Sequence, residues 1–185
     1  MTNLNFLKKA MQVTEIFFEN RLKVSTIARI YAPSTCQDFN PSSNDVSNGI
    51  SSSDLHIYVR YVTDSTIGYG ATGKSCKWVS SLTLPDLTLQ QGRPTIGRII
   101  FNTYNIIDDE TSLTNRLFAE ITATSIHETI HILGFDYSLY SSFLNPSDGN
   151  TYTNPVSASP LILHGSRSGG GNYILQTPFV TTWAQ

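Results

Sequence analysis

Two histidines and a glutamate lie within five positions in Ser125-Ile126-His127-Glu128-Thr129-Ile130-His131-Ile132-Leu133-Gly134-Phe135. In an α-helix, residues four apart share a face, one turn above the other. His127 and His131 would then offer two imidazoles to one point, and a metal ion is the simplest occupant of that point. Zn2+ takes neutral imidazole nitrogen at roughly 2.0–2.1 Å and in catalytic sites keeps a position for water. Glu128, beside the first ligand, is placed to take a proton from that water. The implied chemistry is metal-assisted hydrolysis, the peptidase use of H-E-x-x-H on a helix. The competing reading is a core helix with two hydrogen-bonded histidines and a surface glutamate. Isoleucine or leucine at positions 126, 130, 132 and 133 predicts a largely buried helix. Burying two imidazoles and a carboxylate without compensation is costly, which favours the metal.

Other residues carry weaker signals. His56 sits in an apolar stretch without a histidine nearby and reads as structural. Gly68-Tyr69-Gly70-Ala71-Thr72-Gly73-Lys74-Ser75 matches the phosphate-loop pattern letter by letter. Such a loop must open a helix, whereas residues 76–84 read as a strand, so a turn between strands is the better account. Asp108, Asp109 and Glu110 precede the histidine helix, where the positive end of its dipole favours negative charge. Calcium would need more oxygen ligands in a tight loop.

The remaining chain must supply a scaffold for that helix. Residues 4–21 have the apolar stripe of an amphipathic helix, formed by Leu4, Phe6, Leu7, Met11, Ile16, Phe17 and Phe18 and continued by Leu22. Residues 23–32 suit a strand ended by Pro33, and 34–53 read as a polar loop. Residues 54–62 are the clearest strand, and 95–102 are a shorter one after a loop at 85–94. The histidine helix should start near Ser112 or Thr114 and stop at Gly134, since glycine accepts a left-handed backbone. Beyond it, Asn145-Pro146-Ser147-Asp148-Gly149-Asn150 and Gly169-Gly170-Gly171 mark turns and a joint. Short strands are expected at 160–164 and 173–175, and a helix start after Pro178. The fold class is α+β: a twisted mixed sheet with a scaffold helix and a long H-E-x-x-H helix over residues 1–135, then a loop-rich segment over 136–185.

A chain of 185 residues can bury a sizeable core. Its net charge of −2 and lack of a Lys/Arg run give no footprint for a nucleic-acid partner. No apolar run reaches the ~18 residues of a membrane span, and the N-terminus lacks the basic-then-apolar order of a signal peptide. Two cysteines, Cys36 and Cys76, permit one disulfide or two buried thiols.

The strand-rich half followed by this helix resembles the metzincin peptidases, whose pattern is H-E-x-x-H-x-x-G-x-x-H followed by a methionine-bearing turn. His127, Glu128, His131 and Gly134 match, and Tyr137 stands where the last histidine belongs. Within that clan the chain looks like the leishmanolysin-like peptidases, which carry an insertion between the glycine and the third histidine. The H-E-x-x-H-x-L-G-F core at 127–135, the stretches 69–76 and 93–102, and Leu175-Gln176-Thr177-Pro178-Phe179-Val180 carry this likeness.

The resemblance implies a zinc endopeptidase with Zn2+ on His127 and His131, Glu128 as general base and an extended peptide or protein substrate. The substrate would pair on a sheet edge, by analogy the strand at 76–84. It also implies a Cys36–Cys76 disulfide and a cell-surface or extracellular setting. The third ligand is expected beyond residue 185, as in a fragment of a longer protease, with His164 the substitute within the chain. A chain lacking that ligand has an alternative role as a non-catalytic adhesion or binding module.

Overall fold

The computed structural model describes residues 3–22, 24, 27–79, 82–83, 89–90, 93–106, 115–136, 162–167 and 170–175. Two compact units divide the chain: Met1–Val79 with Arg93–Leu133, and Ser80–Gly92 with Gly134–Gln185. The first unit contains helix α1 (Asn3–Glu19), strand β1 (Arg29–Ile30), helix α2 (Ser43–Ser47) and strands β2 (Ile50–Ser51), β3 (His56–Val62) and β4 (Ala71–Trp78). The second unit takes up the chain with strands β5 (Leu82–Thr83) and β6 (Leu89–Gln90), which pair antiparallel. Strand β7 (Pro94–Asn102), the short helix α3 (Thr103–Ile106) and helix α4 (Asn115–Ile132) return to the first unit. In the second unit, strands β8 (Ile162–Arg167) and β9 (Gly170–Leu175) form a hairpin.

The sheet of the first unit runs β3-β7-β4, with β7 parallel to β3 and antiparallel to β4. This mixed sheet with helices makes the fold α+β. Every residue of β7 is buried, as expected for a central strand covered on both faces. Three of its side chains are polar, and each has a partner: Thr95 donates to the Lys77 carbonyl at 3.3 Å. Arg98 bonds Gln37 at 2.7 Å and pairs with Asp38 at 2.9 Å. The Asn102 side chain donates to the carbonyls of Asp64 and Ile67 and accepts from the Asp64 and Tyr104 amides. Asn102 thereby holds the turn that leads into β4.

Alternation along the strands makes two faces. Ile99 and Phe101 pack with Phe6, Leu7 and Ala10 of α1 and with Ile121 and Ile132 of α4. Phe6 and Phe118 meet edge to face at 5.5 Å and join the two helices. Beneath the sheet, Ile96 packs with Ile30 and Ala32, and Cys36 is bonded to Cys76 with Cα atoms 5.2 Å apart. That bridge closes a loop with a sequence separation of 40, and the chain-entropy estimate for such a loop is about 4 kcal/mol.

Several expectations are revised. The strand expected at 23–32 shrinks to β1, because its partner β2 also offers only two residues. The polar stretch at 34–53 contains α2, whose Ser42 side chain accepts from the Asp45 amide as an N-cap. The strand expected at 76–84 is split: β4 starts earlier, at Ala71, and includes Gly73 of the stretch read as a turn, while Leu82–Thr83 is the separate strand β5. No helix opens after Ser75, so the phosphate-loop spelling has no helix terminus behind it. Ile16 and Leu22, counted in the apolar stripe of α1, are exposed. Asp108, Asp109, Glu110, Ser112, Thr114, Tyr137, residues 145–150 and the stretch after Pro178 lie outside the described residues.

Candidate metal centre

Helix α4 carries the site, and its sequence shows which face goes inward. Ile121, Ser125, Glu128, Thr129 and Ile132 are buried, a stripe at helical spacing. Ser125 and Thr129 hide their hydroxyls by donating to the carbonyls four residues back, each at 2.8 Å. Gly134, with φ of 111°, follows the helix where an L-residue with a side chain would be strained. The helix is less buried than its isoleucines suggest. Ile130 is exposed, as is His127, while His131 is half-buried.

The two imidazoles face each other across one turn. His127 Nε2 and His131 Nε2 are 3.0 Å apart, with ring planes at 85°. With one Nε2 protonated, this is a hydrogen bond. With both protons on Nδ1, two lone pairs converge on one point. Two nitrogens bound to one tetrahedral zinc stand roughly 3.3 Å apart, so the pair needs only a small adjustment to hold the ion. The donor set therefore fits zinc as two of its ligands. Among the described residues, no group of three His, Cys, Asp or Glu side chains gathers to hold a metal ion.

Glu128, between the two histidines in sequence, is held by the sheet. It is 8% exposed, and its Oε2 accepts from the backbone amide of Gly73 on β4 at 2.5 Å. A hydrogen bond to an ionised acceptor contributes about 1.5–3 kcal/mol, whereas a buried carboxylate without one is strongly disfavoured. Gly73 can come this close because it has no side chain, and a Cβ there would run into the Glu128 backbone carbonyl. The same closeness recurs at Gly97, where a Cβ would run into the Ile132 side chain. Ser75 Oγ donates to the Ile132 carbonyl at 2.6 Å.

Gly73 and Ser75 stand out in the sequence only as part of the phosphate-loop spelling, and Gly97 only as part of a strand. The available signal was a glycine inside a strand, which marks close approach of another backbone.

The other expected residues fall apart from this cluster. His56 lies in β3, half-buried, and its ring meets Tyr58 edge to face at 4.6 Å. Burial lowers its pKa from the usual 6.5, and the Asp45 carboxylate partly opposes that shift. Tyr58 donates to Asp45 Oδ2 at 2.8 Å. Burial, and then this hydrogen bond, raise the phenol pKa well above its usual value of 10.0. His164 lies on β8, in register with Tyr173, and its side chain lies outside the described residues. A cavity of about 930 Å³ opens between α1 and β3, lined by Leu7, Met11, Phe18, Leu55, Ile57 and Val59 among others. Its lining includes neither His127 nor His131.

No helix among the described residues is long and apolar enough to cross a membrane. No curated protein matches the chain. A helix with paired histidines, laid across a mixed sheet with a glutamate anchored to its edge strand, agrees with the family that residues 4–168 match: the chain belongs to the leishmanolysin family of peptidases.

Proposed function

We propose that the chain acts as a zinc-dependent metalloendopeptidase. The observation that carries this reading is the His127–His131 pair, with Nε2 atoms 3.0 Å apart on α4. His127 and His131 would hold Zn2+ through these nitrogens. When bound, Zn2+ supplies Lewis acidity toward a water and the scissile carbonyl. Glu128 takes the proton of the attacking water and passes it to the nitrogen of the leaving amine. An extended peptide pairs along the open edge of β4, which lies at one side of the sheet. For the third ligand the reading keeps two sources: His164, or a histidine of a longer polypeptide, as the family pattern implies. An extracellular or cell-surface setting is supported by the Cys36–Cys76 bridge, because disulfides persist in oxidising compartments.

A second reading, a non-catalytic adhesion or binding module, is favoured by the absence of a three-ligand group among the described residues. Zinc content and cleavage of an unstructured protein, measured on the unaltered chain and on Glu128→Gln, decide between them. The peptidase reading expects zinc to be retained and cleavage to fall by about 10²–10⁴-fold, the usual contribution of a general base. Undiminished cleavage by Glu128→Gln overturns the role of Glu128. Zinc binding without cleavage by the unaltered chain supports the second reading.

A further inference from the structure

We propose that Gly73 is a positioning residue for Glu128, acting through its backbone amide, and that this position must lack a side chain. The inference rests on the peptidase reading and adds a residue that lies outside the H-E-x-x-H motif.

The hydrogen-bond phase of β4 makes the amide available. The Asn102 amide donates to the Gly70 carbonyl across β4 and β7. Antiparallel strands alternate, and Thr72 and Lys74 stand opposite Ile100 and Arg98. Thr72 and Lys74 therefore turn their amides to β7, while Ala71, Gly73 and Ser75 turn theirs to the open edge. An unpaired edge amide would be left to water, but that of Gly73 is taken by Glu128 Oε2 at 2.5 Å. The carboxylate thus lies beside the strand, in the direction in which a further strand would pair.

Backbone packing sets the distance. A Cβ at 73 would meet the carbonyl oxygen, carbonyl carbon and Cβ of Glu128. These are main-chain or near-main-chain atoms that cannot swing aside. The helix could yield only by lifting from the sheet, which would pull Oε2 off the amide. Gly97 against Ile132 and Ser75 bonded to the Ile132 carbonyl keep the next turn equally close. Holding Oε2 removes the rotational freedom of the glutamate and leaves Oε1 to meet a water. Pre-placing a base in this way raises the rate of the step it assists.

Amide hydrogen exchange followed by NMR, with cleavage measured in parallel, tests the proposal. In the metal-free chain, the protection factor of the Gly73 amide should fall at least tenfold in Glu128→Ala. It should be largely restored in Glu128→Gln, whose side-chain oxygen still accepts. The Thr72 amide should hold its protection in all three. Replacing the Gly73 amide by a backbone ester deletes the donor without adding volume. It should lower kcat tenfold or more, with KM within twofold and zinc content unchanged. Lys74→Ala, on the same strand with an exposed side chain, is the control for general damage. Unchanged Gly73 protection in Glu128→Ala overturns the proposal, as does an ester variant with undiminished kcat. If neither the unaltered chain nor a longer polypeptide supplying a third ligand cleaves anything, the peptidase reading fails by itself, and the exchange data still decide whether Gly73 holds Glu128.

Discussion

Ser75 Oγ donates to the backbone carbonyl of Ile132, 57 positions later in the chain, at 2.6 Å. Ile132 is the last residue of α4, where helix carbonyls have no partner within the helix. The strand thus supplies a C-terminal cap to the helix that carries both histidines. Ser75→Ala should cost about 1 kcal/mol in a urea titration, the usual net worth of such a bond. A loss within error would mean that water replaces the hydroxyl without penalty.

Gly97→Ala tests the closeness of packing at the same turn. The added methyl would collide with Ile132, which is fully buried. Overpacking of this kind costs about 1–3 kcal/mol. Combining it with Ile132→Val should recover part of the loss, as read from denaturation midpoints. Strict additivity of the two single losses would show that they do not share the contact.

Removing one imidazole should break metal retention. His127→Ala and His131→Ala should each release zinc from the chain after dialysis, as measured by elemental analysis. In the unaltered chain, zinc at 100 times its dissociation constant should raise stability by about 2.7 kcal/mol, as seen in thermal unfolding with and without chelator. An equal zinc response in the two alanine variants would place the ion elsewhere.

How much of this was readable in advance depends on what each segment packs against. The paired histidines and the stop at Gly134 follow from helical spacing and glycine chemistry, both local properties. Strand β7 was visible because burial on both faces leaves an almost continuous apolar run. Strand β4 was displaced because Gly70 and Gly73 spell turn chemistry. At Gly73 the missing side chain serves the approach of α4 at Glu128, 55 residues later in sequence. The short α2 has no buried residue and so no apolar period, leaving its Ser42 cap as the one local sign. The burial of Glu128 follows from the apolar residues around it, but its partner does not: it is a backbone amide, which every residue but proline has.

Acid should weaken the fold through His56. Its folded pKa lies below the usual 6.5, chiefly because burial disfavours the charged ring. A depressed folded value means that the unfolded chain takes up the proton first as pH falls. The stability contribution is therefore complete above pH 6.5 and is lost as pH drops toward the folded value. His56→Gln should flatten the stability profile in that window, as followed by urea midpoints at several pH values. A profile with unchanged slope would assign the acid sensitivity to other groups.

The Cys36–Cys76 bridge should account for a large share of stability. Replacing both cysteines by serine, or adding reductant, should lower it by about 2–4 kcal/mol in chemical denaturation. Equal midpoints in oxidised and reduced samples would contradict this.

The strand order β3-β7-β4 places the last-made strand in the middle. During synthesis, β3 and β4 emerge with no partner in this sheet, and β7 is complete only at Asn102. At 5–20 residues per second, the interval between the end of β3 and the end of β7 is roughly 2–8 s. Through that interval, the β3 side chains that end up packed against the two cores, Ile57 and Tyr58, face solvent or a chaperone instead. Assembly of the sheet therefore awaits β7, and α4, made directly afterwards, meets a surface that has only just formed.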